Sequence, residues 1–142
     1  MHVGCLGVVQ YLLGNVLWEC MLALGGTFSR SREACHKLVE MLEICAKRLK
    51  TDNPLKHLTV TMLRPTATAK PKLKTKAAQG RRLVPLLREM LATCFPVESS
   101  HERVRLNCVE AIAACYSEME HWVPASSPEA LSKYTRRFLV AS

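Results

Sequence analysis

Few side chains in this chain could do acid–base or nucleophilic chemistry, and their spacing brings none of them together. Glu19 lies within an apolar stretch. A buried glutamate can act as a general acid, but more often it pairs with a buried partner or lies at a helix edge. His36 follows Cys35 directly, and consecutive helical residues point in different directions, so they form no catalytic dyad. With Asp52 as the only aspartate, we predict no catalytic residue and no enzyme.

The cysteines and histidines show no metal-ligand pattern. No CxxC pair occurs, and His101 and His121 are too far apart to share one turn of a helix. Glu118, Glu120 and His121 are interpreted as an exposed rim. We therefore predict no metal and no cofactor, and free buried thiols of the kind found in a reducing compartment. The seven cysteines are Cys5, Cys20, Cys35, Cys45, Cys94, Cys108 and Cys115.

Positive charge is concentrated in the middle of the chain. The segment 47–88 holds twelve Lys and Arg residues and one acid, so the net charge of +8 belongs to it. Such a block is typical of surfaces that contact nucleic-acid phosphates, although a solvated basic surface has the same composition. The residues predicted to make the contact are Arg64, Lys70, Lys72, Lys74, Lys76, Arg81 and Arg82.

The most basic part of this block, 68–76, fits three interpretations: a nuclear import signal, a nucleic-acid-binding arm or a solvated loop. No aromatic residue lies between Phe28 and Phe95, so we expect no base stacking within the block. The expected partner is nucleic acid, and the expected location is intracellular, with the nucleus as the more specific option.

Apolar periodicity and helix-stop residues predict an all-α fold, an irregular bundle of about five helices in one domain over 1–142. The alternating, β-branched segment 58–63 predicts one short extended strand. This strand belongs to a basic connector, 51–75, and the chain from 64 to 76 is expected to be a loop or arm. The predicted helices cover about 3–24, 30–50, 76–95, 99–121 and 128–140.

The first predicted helix, 3–24, is the most apolar part of the chain. About 20 apolar residues are enough to span a bilayer. However, Gln10, Asn15 and Glu19 interrupt the run, and a carboxylate in the middle of a membrane costs roughly 2.5 kcal/mol or more. A buried core helix is therefore favoured over membrane insertion or secretion. A protein partner or a second copy of the chain is a further candidate to dock on this helix.

The start of this helix resembles a motif of RNase H-like DDE transposases, in which an Asp is followed closely by a His, a Gly-Val pair and an apolar helix. The matching residues are His2, Gly7 and Val8 within His-Val-Gly-Cys-Leu-Gly-Val. Segments 58–59, 71–78 and 83–87 extend the likeness to transposon-derived reading frames that are repetitive in some protist genomes.

The resemblance implies the helical insertion region of a transposase, and hence a fragment of a larger protein. The Asp of the motif would precede Met1, and one Asp cannot supply a two-metal carboxylate site. The expected function is that of a catalytically inactive transposase-like fragment that contacts nucleic acid through its basic connector. The alternative is a small helical interaction protein, or a membrane-anchored one, that uses helix 3–24.

Overall fold

The computed structural model describes the backbone of residues 2–120 and the side chains of residues 7–119, and these residues form an all-α bundle. The predicted fold class is confirmed. The predicted helix 128–140 lies outside the described residues. The helices are α1 (His2–Ala23), α2 (Arg32–Arg48), the single turn α3 (Val60–Leu63), α4 (Ala77–Cys94) and α5 (Ser100–Glu120).

Helix α1 lies at the centre of the bundle and packs against all four other helices. Its sequence is apolar on nearly every side, but the side chains that the bundle buries repeat at helical spacing and form one stripe. On the opposite side, Val8, Tyr11 and Leu22 are each close to half exposed. Within the described side chains, no helix has the length and apolar character needed to cross a bilayer. The buried stripe consists of Val9, Leu13, Val16, Leu17, Cys20 and Met21.

Helix α1 ends where the Gly25-Gly26 pair predicts. Gly25 adopts a φ of 87°, a left-handed conformation that residues with a Cβ rarely reach. The amide of Gly26 donates to the carbonyl of Met21 at 3.0 Å, which satisfies a carbonyl that the helix end leaves free. The chain can therefore turn back toward α2, whose apolar stripe packs against α1 and α4.

The segment 58–63 is not a strand, and that prediction is wrong. Its last four residues form α3, in which the Arg64 amide donates to the Val60 carbonyl at 2.8 Å, while Leu58 and Leu63 are buried. A β-branched sequence favours a strand only where a neighbouring strand offers a ladder and a pleated surface to pack on. The described residues contain no strand, so this segment satisfies its amides within a helical turn.

The segment 70–76, which we name the lysine segment, lies against α1 and is not a free arm. The Leu73 amide donates to the Gln10 carbonyl at 3.0 Å, and the Gln10 side-chain amide donates to the Thr75 carbonyl at 2.9 Å. The Lys72 amide donates to the Leu63 carbonyl at 2.9 Å. Leu73 itself is buried in the core. The sequence predicted a loop here, but its attachment to α1 comes from tertiary contacts.

Gly14 is the point at which this attachment becomes a contact between two backbones. A Cβ built on Gly14 would lie 2.5 Å from both the amide nitrogen and the Cα of Lys72. No real Cβ approaches backbone atoms so closely, so only glycine allows the lysine segment to reach α1. Gly7, two turns earlier in the same helix, has nothing within 4 Å of the corresponding position.

We predict opposite effects on stability for the same substitution at these two glycines. Gly14→Ala should lower the free energy of unfolding by about 1–3 kcal/mol, because the methyl group must push the lysine segment away. Gly7→Ala should raise it by up to about 1 kcal/mol, because alanine favours the helix and meets no obstacle. Urea unfolding followed by circular dichroism measures both. Equal effects at the two positions would contradict the close approach.

Candidate functional site

The lysine segment places its residues alternately on two sides. Pro71, Leu73 and Thr75 face α1, since the Pro71 and Thr75 carbonyls and the Leu73 amide all meet side-chain or backbone groups of that helix. The intervening residues are Lys70, Lys72, Lys74 and Lys76, of which Lys72 is half-buried and the other three are exposed. Same-side residues of an extended chain are spaced about 6.6 Å apart. The docking of the segment therefore places four lysines at alternate positions of one fixed backbone.

Three of these lysines line a groove of about 570 Å³, which we name the Tyr11 groove. Helices α1 and α3 and the loop after α3 form its other walls. Apolar groups and cations therefore share one concave surface. The lining residues are Tyr11, Thr61, Met62, Pro65, Ala69, Lys70, Lys72 and Lys74.

Tyr11 adds an aromatic ring to the basic block, which the expectation of no base stacking within the block did not take into account. Its ring is 45% exposed, and the Lys72 ammonium lies 5.0 Å from the ring centroid, which is a cation–π distance. The interval between Phe28 and Phe95 does lack aromatics, but the fold brings this ring from α1 across to the lysines. Because Tyr11 and the lysines are far apart in the sequence, sequence reasoning did not bring them together. The one sign in the sequence of a polar face on α1 was the four-residue spacing of Tyr11 and Asn15, which places them on the same side of the helix.

Arg64, although predicted as a site residue, stabilises the loop after α3. Its guanidinium lies 4.6 Å from the ring centroid of Trp18, and its Nη2 donates to the Ala67 carbonyl at 2.5 Å. It does not line the Tyr11 groove. The planar guanidinium is therefore held between an aromatic face and a carbonyl, as arginine commonly is in protein interiors.

Arg81 and Arg82 lie on α4, outside the Tyr11 groove. The Arg82 guanidinium is 3.8 Å from the Asp52 carboxylate, and Arg81 lies 5.8 Å from the ring centroid of Tyr116 on α5. The structure thus divides the predicted site residues into three lysines in the groove and three arginines engaged elsewhere, while Lys76 is exposed at the start of α4 and does not line the groove.

Two further cations of the basic block, both outside the predicted site, form ion pairs. Arg48 pairs with Glu89 at 2.9 Å and Lys56 pairs with Glu43 at 3.5 Å. By contrast, no carboxylate among the described side chains lies within 4.0 Å of any ammonium of the lysine segment. The lysine segment therefore brings four cations without a described carboxylate partner close together in the chain, and such groups of charge attract anions from solution.

Glu19, the candidate general acid, is paired, as the alternative interpretation expected. Its carboxylate oxygens lie 2.5 Å from His101 Nε2 and 3.2 Å from Arg105 Nη1, so it joins α1 to α5. Both oxygens already have cationic or hydrogen-bonding partners, so the cluster links two helices. Neither partner is close to Glu19 in sequence, and sequence reasoning did not place either of them there.

The described cysteines are free thiols, and no group of three or more metal-ligating side chains occurs among residues 7–119. Cys20, Cys35, Cys45 and Cys108 are buried, whereas Cys94 is exposed. Burial raises the pKa of the Cys20 thiol to about 12, against the opposing attraction of the Arg105 guanidinium. This thiol therefore stays protonated and inert at neutral pH.

The fold and the groove define the class of protein, an all-α bundle with a row of lysines on one surface. In comparisons with known proteins, no family model, curated protein or solved structure matches this chain. Of the transposase-like motif, Gly7 and Val8 lie on the outer side of α1, with Val8 44% exposed. The side chain of His2 lies outside the described residues.

We predict that the thiols react at very different rates in the native protein. At pH 8, iodoacetamide should modify Cys94 rapidly. Cys20 should stay unmodified because it is buried and because a pKa of about 12 leaves about a thousandfold less thiolate than the ordinary value of 9.0. Peptide mass spectrometry after timed labelling measures each cysteine separately.

Urea-unfolded protein is the control, in which all the thiols should react alike. Above pH 9, ionisation of Cys20 favours the unfolded chain, so native protection should weaken as the pH approaches 12. Rapid native labelling of Cys20 at pH 8 would contradict its burial.

Proposed function

We propose that this protein binds nucleic acid through the Tyr11 groove and the lysine segment. The observation that carries the proposal is the set of four lysines in the lysine segment. No described carboxylate pairs with them, and hydrogen bonds hold the segment against α1. Phosphate contacts supply most of the affinity of proteins for nucleic acids, and lysine ammonium groups commonly make them.

The rigidity of the lysine segment favours this function over a solvated loop. The Leu73 amide and the Thr75 carbonyl form hydrogen bonds with Gln10, and the Lys72 amide forms one with the Leu63 carbonyl. Binding therefore does not have to order the backbone that carries the lysines, which lowers the entropic cost of association. A spacing of about 6.6 Å between same-side residues is close to the distance between successive phosphates along one strand.

We keep the transposase-like origin as part of the proposal, in the form of a protein that binds nucleic acid without cutting it. The motif residues His2, Gly7 and Val8 support the origin. A single Asp in the chain, and the lack of a metal-ligating cluster among residues 7–119, support the lack of strand cleavage. The alternative, in which a partner docks on α1, has less support because α1 buries its apolar stripe against its own bundle.

Neutralising the lysine segment tests the proposal. The variant in which Lys70, Lys72, Lys74 and Lys76 are all changed to Gln should bind labelled oligonucleotides more weakly. The slope of log K against log salt should fall by about 0.7–0.9 for each phosphate contact that is lost, or about 3 in total. Fluorescence anisotropy titrations at about 50 to 300 mM salt measure the slope.

The matched control removes the same charge elsewhere on the surface. Arg30, Lys47, Arg88 and Arg103 are exposed and do not line the Tyr11 groove, and changing all four to Gln should alter the slope by less than one. Equal weakening by both variants would show that only net charge matters. Unchanged binding in the lysine variant would refute the proposed site.

A further inference from the structure

The Tyr11 groove is one part of a longer path across the surface. It shares Met62 and Lys74 with a second groove of about 330 Å³, which we name the middle groove. The middle groove shares Lys56 and His57 with a third, of about 620 Å³, which we name the α2 groove because Arg32 and His36 line it. The three grooves are therefore neighbours on the surface, each separated from the next by side chains that line both.

The path alternates cations with apolar groups. In the Tyr11 groove the lysines lie beside Met62 and Pro65, and in the middle groove Lys56 and Lys74 lie beside the partly exposed Pro54 and Met62, whereas Leu55, Leu73 and Leu83 are buried. The carboxylate that lines the α2 groove, Glu33, is paired with Lys37 at 3.4 Å. A ligand that fills the path must combine regularly spaced negative charge with flat or apolar groups.

Building on the proposed function, we infer that the ligand is a single-stranded nucleic acid that runs from the Tyr11 groove through the middle groove toward Lys56 and His57. A duplex is a broad, stiff cylinder with its bases stacked inside, and only its phosphates would reach a concave surface. A single strand bends into a groove and turns its bases outward, so that phosphates meet cations and bases stack on aromatic or apolar side chains.

Tyr11 is the stacking platform in this arrangement. Its ring is close to half exposed, and the Lys72 ammonium lies over the ring at 5.0 Å from the centroid, so a base that stacks on that face displaces the ammonium from it. A base that stacks on Tyr11 brings its own phosphate beside Lys72, so one nucleotide contacts both side chains. Successive phosphates then follow Lys74 and Lys56 along the path, and Lys56 exchanges its exposed ion pair with Glu43 for a phosphate.

The first test compares the two forms of nucleic acid on the intact protein. Fluorescein-labelled dT12 should bind more tightly than a 12-base-pair duplex at the same salt concentration. Tyr11→Ala should weaken dT12 binding by about 5- to 150-fold, the range for loss of one stacked base, and change duplex binding less than twofold. Tyr11→Phe should retain the binding of dT12, because the ring is kept and the hydroxyl has no hydrogen bond to another side chain or carbonyl among residues 7–119.

Val8→Ala is the matched control, since Val8 is a similarly exposed apolar residue of α1 that does not line the groove. It should leave both affinities unchanged. Thermal unfolding of each variant checks that the bundle is intact. A duplex bound as tightly as dT12, with no selective effect of Tyr11→Ala, would overturn the single-strand inference.

The second test follows the length of the path. Lys56→Gln should lower the salt slope by about 0.7 for dT12 and leave dT4 unaffected, because only the longer strand reaches beyond the Tyr11 groove. Equal effects on dT4 and dT12 would overturn the path. Failure of the proposed function would give a different result, namely unchanged binding of both oligonucleotides when the lysine segment is neutralised.

Discussion

The close approach of two backbones at Gly14 is the contact on which the rest of the structure depends. Because no Cβ separates them, the lysine segment lies directly on α1, and the Leu73 amide reaches the Gln10 carbonyl. That position places Leu73 in the core and the lysines on the surface. It also brings the loop that follows α3 back to Tyr11 and thereby forms the wall of the groove. The charged surface is thus attached to the core through the main chain.

The polar residues of α1 explain how an apolar helix at the centre of a bundle organises its neighbours. A polar side chain that the bundle partly buries, such as that of Gln10 or Glu19, needs a partner, because burial without one is costly, whereas Asn15 is exposed. Gln10 bonds to the lysine segment, the Asn15 amide lies 3.5 Å from the Pro71 carbonyl, and Glu19 meets two groups of α5. The same three residues that interrupt the apolar run are therefore the residues that connect α1 to other parts of the chain. The apolar stripe of α1 provides the buried surface, and the polar residues determine which segments α1 contacts.

Local information predicted the long helices well. Their observed bounds lie within two residues of the bounds expected from periodicity and stop signals, since helix hydrogen bonds and the Gly25-Gly26 stop are local features. Predictions failed where the structure of a segment or side chain depends on residues that are distant in the sequence. Segment 58–63 has the composition of a strand, yet among the described residues it has no strand to pair with, so it forms α3. Arg64 and Arg82 are as basic as the lysines, but distant partners, Trp18 and Asp52, engage them.

The sequence by itself determined the helical class, the concentration of charge in the middle of the chain and the presence of a single aspartate, because composition and short-range periodicity encode these properties. Tertiary structure alone decided which cations remain unpaired and which aromatic ring they accompany. Tyr11 and Lys72 are 61 positions apart in the sequence, and they meet only because α1 crosses the lysine segment at Gly14. Contacts between residues so distant in the chain depend on packing of the whole bundle, which no local pattern records.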